Sequence, residues 1–215
     1  PSRLVGSEMC IRDRYNNQLI TTGEVNDVGA YIRENVKKSR RFGVEFTNVL
    51  NSKDFYVNSS LSLSRNLVYN FNETLYDYGT DFSQYNIIEN KYVITDLAFS
   101  PGVLLNNHFE WKANKFLSFI LNSKYVGKQY LDNTSNEKRV LKDFLINDFK
   151  IQTNLTNNVF NNLFFKIEIN NIFNVKYSSN GYTFGYYGGM DYEVRENYFY
   201  PQATRNIMFS VSIEI

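Results

Sequence analysis

Cysteine, histidine and tryptophan each occur once in the 215 residues, and proline only three times. A lone Cys10 excludes an internal disulfide framework and any multi-cysteine metal site. A lone His108 excludes multi-histidine metal centres and leaves a His-based triad a single candidate base. No run approaches the ~18 apolar residues of a membrane-crossing helix. That does not exclude a membrane, because a β-barrel satisfies its backbone groups between strands. Excess charge of either sign is missing too. Lys and Arg total 23 against 22 Asp and Glu, a net of +1, so no global field draws in nucleic acid, and none is expected as a partner. The local basic run Lys37, Lys38, Arg40, Arg41 reads as a solvated strand end, with an anion site as the alternative.

Aromatic residues are plentiful: 17 Tyr and 18 Phe lift the aromatic share to 17%, yet mean hydropathy is negative. Both hold if apolar and polar residues alternate. They do so best in Arg205–Ile215, where Ile207, Phe209, Val211, Ile213 and Ile215 share one face and Asn206, Met208, Ser210, Ser212 and Glu214 the other. A helix would scatter these β-branched and aromatic residues around its circumference, so the segment reads as a strand. Leu163, Phe165, Ile167 and Ile169 alternate in the same way with Phe164, Lys166, Glu168 and Asn170. Similar alternation recurs around residues 42–46, 55–64, 105–112 and 117–122. Charges in mid-strand on the non-apolar face suit a wet interior better than a dry sandwich core. Asn, roughly one residue in seven, is poor in helices and suits turns and wet surfaces.

Connections alternate in length. Asn51–Asp54, Ala113–Lys115 and Thr156–Asn161 are short; Gly23–Ala30, Asn70–Gly102, Asp132–Arg139 and Ser178–Tyr198 are long. That rhythm is the one of outer-membrane barrels, tight turns on one side and extended loops on the other. Parity makes Lys91–Ser100 part of a loop folded over the mouth, because counting it as spanning would put the Ala113–Lys115 turn on the long-loop side. Eight antiparallel strands in meander order are therefore predicted near 14–22, 31–50, 54–69, 103–113, 116–131, 139–155, 160–178 and 200–215. Leu163, Phe165, Ile167 and Ile169 should face outward, with Lys166 and Glu168 inward. Trp111, Tyr125, Tyr130, Phe173, Tyr177, Tyr198 and Tyr200 sit toward strand ends as interfacial girdles require.

Catalytic chemistry is not found. His108 reads as a lumen-facing residue, and Gly185, Gly188 and Gly189 as a loop tip, since no helix follows them to make a phosphate loop. No carboxylate pair or nucleophile elbow stands out. An enzyme is not expected, nor a cofactor, a metal or any assignable catalytic residue.

Three runs resemble TonB-dependent outer-membrane receptors of the iron-uptake type, most closely those of Bacteroidetes-like bacteria: Asn17–Ser39 (NQLITTGEVNDVGAYIRENVKKS), Ser123–Asn133 (SKYVGKQYLDN), and Ile169–Asn180 (INNIFNVKYSSN) joined to Tyr198–Ile215 (YFYPQATRNIMFSVSIEI). The resemblance covers almost everything from about residue 15 onward. It implies a 22-stranded barrel in the outer membrane of a Gram-negative cell, with an N-terminal plug, importing a scarce ligand with the TonB complex. Ferric siderophore is the first substrate class it suggests, with ligand contacts shared between plug and outer loops. The implied partners are outer-membrane lipid, the plug and remaining strands of the same receptor, TonB through that plug, and the barrel-assembly machinery through the last strand. These receptors usually finish on an aromatic residue, whereas this chain has Ile215.

The expected organisation is a non-native or disordered leader at 1–14 (PSRLVGSEMCIRDR, which fits nothing that follows) and receptor barrel strands at 15–215. The fold expected is an all-β, partial transmembrane barrel, an open curved sheet whose edges are 14–22 and 200–215. The alternatives are a small outer-membrane porin or adhesin, which would close on itself, and a soluble β-sandwich binding module.

Overall fold

The computed structural model describes residues 3–25, 31–83, 85–155, 162–189 and 192–214. Among them are fifteen strands and no helix: β1 (Arg3–Tyr15), β2 (Gln18–Val25), β3 (Tyr31–Val36), β4 (Lys38–Asn51), β5 (Phe55–Asp77), β6 (Asn86–Asp96), β7 (Val103–Lys112), β8 (Leu117–Val126), β9 (Gln129–Tyr130), β10 (Val140–Leu141), β11 (Phe144–Leu155), β12 (Asn162–Asn170), β13 (Ser178–Tyr187), β14 (Glu193–Pro201) and β15 (Asn206–Glu214). Eight of them form one antiparallel wall in the order β1-β4-β5-β7-β8-β11-β12-β15. β1 and β15 stand at its two ends without pairing to each other, so the sheet is open.

Pairing register turns the alternation into faces. One row across six strands reads Phe55, Trp111, Phe119, Ile151, Ile167, Phe209. The next row, displaced by one residue and so on the opposite face, reads Tyr56, Glu110, Ile120, Lys150, Glu168, Met208. On the apolar face Trp111 stacks on Phe119 with ring centres 5.4 Å apart and on Phe55 at 6.5 Å. On the polar face Glu168 bridges Lys150 at 2.7 Å and Lys166 at 3.0 Å. Leu163, Phe165, Ile167 and Ile169 thus share the apolar face and Lys166 and Glu168 the other, as the alternation predicts. A cavity of about 460 Å³ opens on the polar face among Ser118, Gln152, Asn154, Phe164, Lys166 and Ser210, so that face is the concave one.

Several boundaries differ from those read in the sequence. The predicted strand 14–22 is divided: β1 ends at Tyr15, Asn17 takes a positive φ of 57°, and β2 starts at Gln18. The edge strand beside β4 is β1, paired from Arg3↔Asn51 to Tyr15↔Ser39, over residues expected to be an unstructured leader. Its apolar residues do not alternate strictly, which hides it from a period-2 reading. The predicted strand 31–50 breaks at Lys37, and β2–β3 make a hairpin of their own beyond the wall. The strands predicted at 116–131, 139–155, 160–178 and 200–215 are shorter in the wall: β8 stops at Val126, β11 starts at Phe144, β12 stops at Asn170 and β15 starts at Asn206. β12 stops because Asn171 and Asn174 adopt positive φ (51° and 55°), a conformation asparagine tolerates. The Asn171 side chain secures the turn by accepting from the Val175 N–H at 2.9 Å and donating to the Val175 carbonyl at 2.8 Å. Lys91–Ser100, expected as loop, is strand as far as Asp96 but pairs with β5 off the wall, so it does not span, as parity requires; Ser178–Tyr198 is mostly the β13–β14 hairpin. The Thr156–Asn161 turn, most of Gly23–Ala30, the Cys10 side chain and Ile215 lie outside what the structure describes.

Close approach of β4 and β5 depends on Gly43, where a Cβ would stand 2.5 Å from the Leu63 carbonyl oxygen and 3.0 Å from Ser64 Cα. Backbone cannot give as a side-chain tip can. Gly43→Ala is expected to cost about 1–3 kcal/mol, measured as a lowered denaturant midpoint. Gly102→Ala, whose Cβ would meet the Ser64 carbonyl oxygen at 3.2 Å, should cost less.

Candidate functional site at the long-loop end

Beyond the wall, β5 continues upward. Its lower half pairs with β7 (Phe55–Leu63) and its upper half with β6 (Leu67–Asp77). Asn70, at a φ of 54°, interrupts the alternation. Val68 below it and Phe71, Glu73 and Leu75 above it are consequently all buried. Val68 and Phe71 join Ile20, Val36 and Leu97 in a small apolar core between the β2–β3 and β5–β6 hairpins, with Tyr92 packed against it. The outer end is therefore a packed layer, in which Ile20, Val36 and Val68 come from segments expected to be strands and Phe71, Tyr92 and Leu97 from the expected Asn70–Gly102 loop.

Glu73 carries the layer's electrostatics. Its side chain is 2% exposed, and its Oε1 accepts from Arg139 at 2.8 Å and Arg195 at 2.9 Å. Its Oε2 accepts from the Tyr92 hydroxyl at 3.0 Å. Arg139, itself 6% exposed, also reaches Asp132 at 2.8 Å and Glu193 at 3.1 Å. One buried cluster thus ties β5, β6, the 131–139 segment and the β13–β14 hairpin. The Tyr92 hydroxyl is pushed up to about 12, by burial first and then by the Glu73 carboxylate. Burial opposes the charge on Arg139, but Asp132 and Glu73 outweigh it and hold the guanidinium above its ordinary value. Outside the cluster, the Lys128 hydrogen bond to Glu137 holds that exposed carboxylate below its ordinary range.

The tips of two hairpins meet above this cluster. Asp77 Oδ1 accepts from the N–H groups of Gly79 and Gly189, each at 2.9 Å. Tyr78 donates its N–H to the Tyr187 carbonyl at 3.0 Å. Around that clamp lie Tyr76, Tyr78, Phe82, Tyr85, Phe184 and Tyr186, with Tyr76 and Tyr85 stacked at 4.9 Å and Tyr78 edge-on to Tyr186 at 5.8 Å. Phe82 and Tyr85 are about two-thirds exposed. This aromatic surface is the candidate ligand-facing site, and aromatic faces accept flat or cationic ligands.

Residues singled out in the sequence are distributed otherwise. His108 lies on the concave face, its Nδ1 2.7 Å from Asn122 Oδ1, away from the outer layer. Gly185 belongs to β13, where its bare Cα leaves room for the Arg195 guanidinium; Gly188 and Gly189 turn the hairpin, Gly189 at a φ of 85°. Trp111 and Tyr125 are on wall strands, whereas Tyr177, Tyr198 and Tyr200 pack around the β13–β14 hairpin or on it. The Glu73 cluster was missed. Its partners are 66 and 122 residues away in sequence, and the one local signal is Glu73 at the alternate position between Phe71 and Leu75. Among the described residues no group of three or more His, Cys, Asp or Glu could hold a metal.

An open run of antiparallel strands with an apolar convex face, a charged concave face and a folded layer over the long-loop end is a segment of a β-barrel wall. Solved structures agree on the fold. The siderophore receptor PiuA from Acinetobacter baumannii matches with a TM-score of 0.69 and 14% identity over 97% of this chain and 26% of that one. The ferric-catecholate import receptor Fiu of E. coli K12, in its closed form, gives 0.64 and 17% over 97% and 25%. The pyoverdine outer membrane receptor FpvA of Pseudomonas aeruginosa PAO1, bound to pyoverdine, gives 0.57 and 15% over 97% and 27%. The chain spans about a quarter of the length of these receptors. No family model matches the sequence, and no curated protein does.

Removing one partner of a buried ion cluster strands the others, at about 3–5 kcal/mol. Glu73→Gln or Arg139→Met should therefore loosen the outer layer while the wall persists. The readout is amide exchange at Leu131, whose N–H is bonded to the Arg139 carbonyl at 2.8 Å; unchanged protection would refute the role of the cluster. A raised tyrosine pKa stabilises the folded layer fully below the ordinary value of ~10. That contribution is lost as pH rises through about 12. Near-ultraviolet circular dichroism during base titration should show this late transition, and Tyr92→Phe should abolish it.

Proposed function

We propose that this chain is a stretch of wall and outer loops of a TonB-dependent outer-membrane receptor that binds and imports a scarce ligand, with ferric siderophore as the substrate class. The observation that carries the reading is the match of 97% of the chain to the PiuA fold at a TM-score of 0.69. The convex face, with its row from Phe55 to Phe209, meets outer-membrane lipid in this reading. The concave face meets the receptor's plug, and the Glu73-centred layer with its aromatic tip faces the cell exterior. The rest of the barrel, TonB acting through the plug, and the barrel-assembly machinery acting through β15 are the further partners. The reaction is transport and not catalysis. A small closed porin or adhesin would need a ladder between β1 and β15, and the described residues form none. A β-sandwich would need a second sheet packed on the first.

The test is uptake of radioactive iron by receptor-deficient, iron-starved Gram-negative cells expressing the complete receptor that contains this stretch. Uptake of a ferric siderophore that requires the proton-motive force, cut about tenfold by Tyr78→Ala with Tyr186→Ala (two aromatic contacts at ~0.5–1.5 kcal/mol each), is the expected result. Absence of the receptor from the outer membrane, or uptake indifferent to TonB, would contradict the proposal.

A further inference from the structure

The basic run noted in the sequence divides between the two faces of the wall, and one half gathers further cations. Register pairs Arg14 with Arg40 across β1 and β4, Arg65 with Phe42 across β5 and β4, and Lys38 with Tyr69. Paired residues share a face, so Arg14, Lys38, Arg40 and Arg65 stand together on the convex one. Two contacts confirm this. The Arg40 guanidinium lies 4.9 Å over the Phe42 ring, and the Lys38 ammonium 4.9 Å over the Tyr69 ring. Like charges directly opposite on neighbouring strands, as Arg14 and Arg40 are, destabilise a sheet unless something neutralises them. Among the described residues the one carboxylate in reach is Asp96, 4.0 Å from Arg65 Nε, and Arg40 Nε is buried with no hydrogen-bond partner.

What lies beside this cluster decides what would fill it. The next row on the same face is Val44 with Leu63, followed by Phe46 with Leu61. A free phosphate or a nucleic acid would gain nothing from those apolar rows. An anion carried on an apolar body would cover both. We propose that Arg14, Lys38, Arg40 and Arg65 bind the phosphate-bearing headgroup of an anionic lipid in the leaflet at the long-loop end, its chains lying on Val44, Phe46, Leu61 and Leu63. Guanidinium forks suit phosphate oxygens, and cations beside a membrane surface attract anionic lipid. This rests on the outer-membrane reading above.

The experiment uses the complete receptor that contains this stretch. Flotation with phosphatidylcholine vesicles first establishes insertion. Retention of phosphatidic acid against phosphatidylcholine is then measured by phosphorus analysis after gel filtration in a nonionic detergent. The expected results are preferential retention of phosphatidic acid that weakens with added salt, and a loss of about fivefold per cation removed, on the order of 25-fold for R14Q with R40Q. K53Q with K115Q, the same charge change at the short-turn end, should leave retention unchanged. R65Q alone, about fivefold weaker, covers the case in which the double variant does not fold. Equal retention of both lipids, undiminished retention in R14Q with R40Q or, where that variant does not fold, in R65Q, or displacement by inorganic phosphate at equal concentration overturns the lipid site and leaves the receptor reading standing. Failure of that receptor to enter the vesicles overturns both.

Discussion

Backbone pairing between neighbouring strands is the constraint on which the rest depends. Once β1 to β15 lock in antiparallel register, every second side chain must point the same way, and a slip of one residue would reverse all of them. The row from Phe55 to Phe209 and the row from Tyr56 to Met208 are then two consequences of one ladder. In the proposed outer-membrane setting a charge on the wrong face would cost ~2–4 kcal/mol for Arg or Lys, which would hold the register to one choice. Lys150, Lys166 and Glu168 sit where they can neutralise each other and where water can reach them.

The outer layer uses a different economy. Its strands leave the wall, so burial has to come from hairpins packing on each other. Asn70 turns β5 so that Phe71, Glu73 and Leu75 face inward. The apolar members form the small core, and Glu73 organises two arginines from distant segments. Such a layer is held by a few strong contacts at its centre while its aromatic tip stays exposed.

Much of the wall was legible in the sequence because period 2 is a local signal. β12 and β15 show it along their length, with Phe164 and Met208 the one apolar residue on the polar face of each, and the short turns fixed who pairs with whom. β1 was not legible: its apolar residues break the alternation, and only its partner β4 shows that it is a strand. The outer layer was hidden for a related reason. β6, β13 and β14 are strands through pairing at the tip of a hairpin, and the Tyr- and Asn-rich sequence there reads equally well as loop. The site was least legible of all, since Glu73, Arg139 and Arg195 meet only after the fold has formed. Gly185 read as loop flexibility, whereas it makes room for Arg195.

The central claim is that the convex face is made for hydrocarbon and the concave face for water. Nitroxide labels placed singly at residues 163–169 of the complete receptor that contains this stretch, in phosphatidylcholine vesicles, test it most directly. Labels at 163, 165, 167 and 169 should collide freely with oxygen and be shielded from a water-soluble nickel chelate, and labels at 164, 166 and 168 should show the reverse. A flat profile, or one with the phases exchanged, would contradict the account.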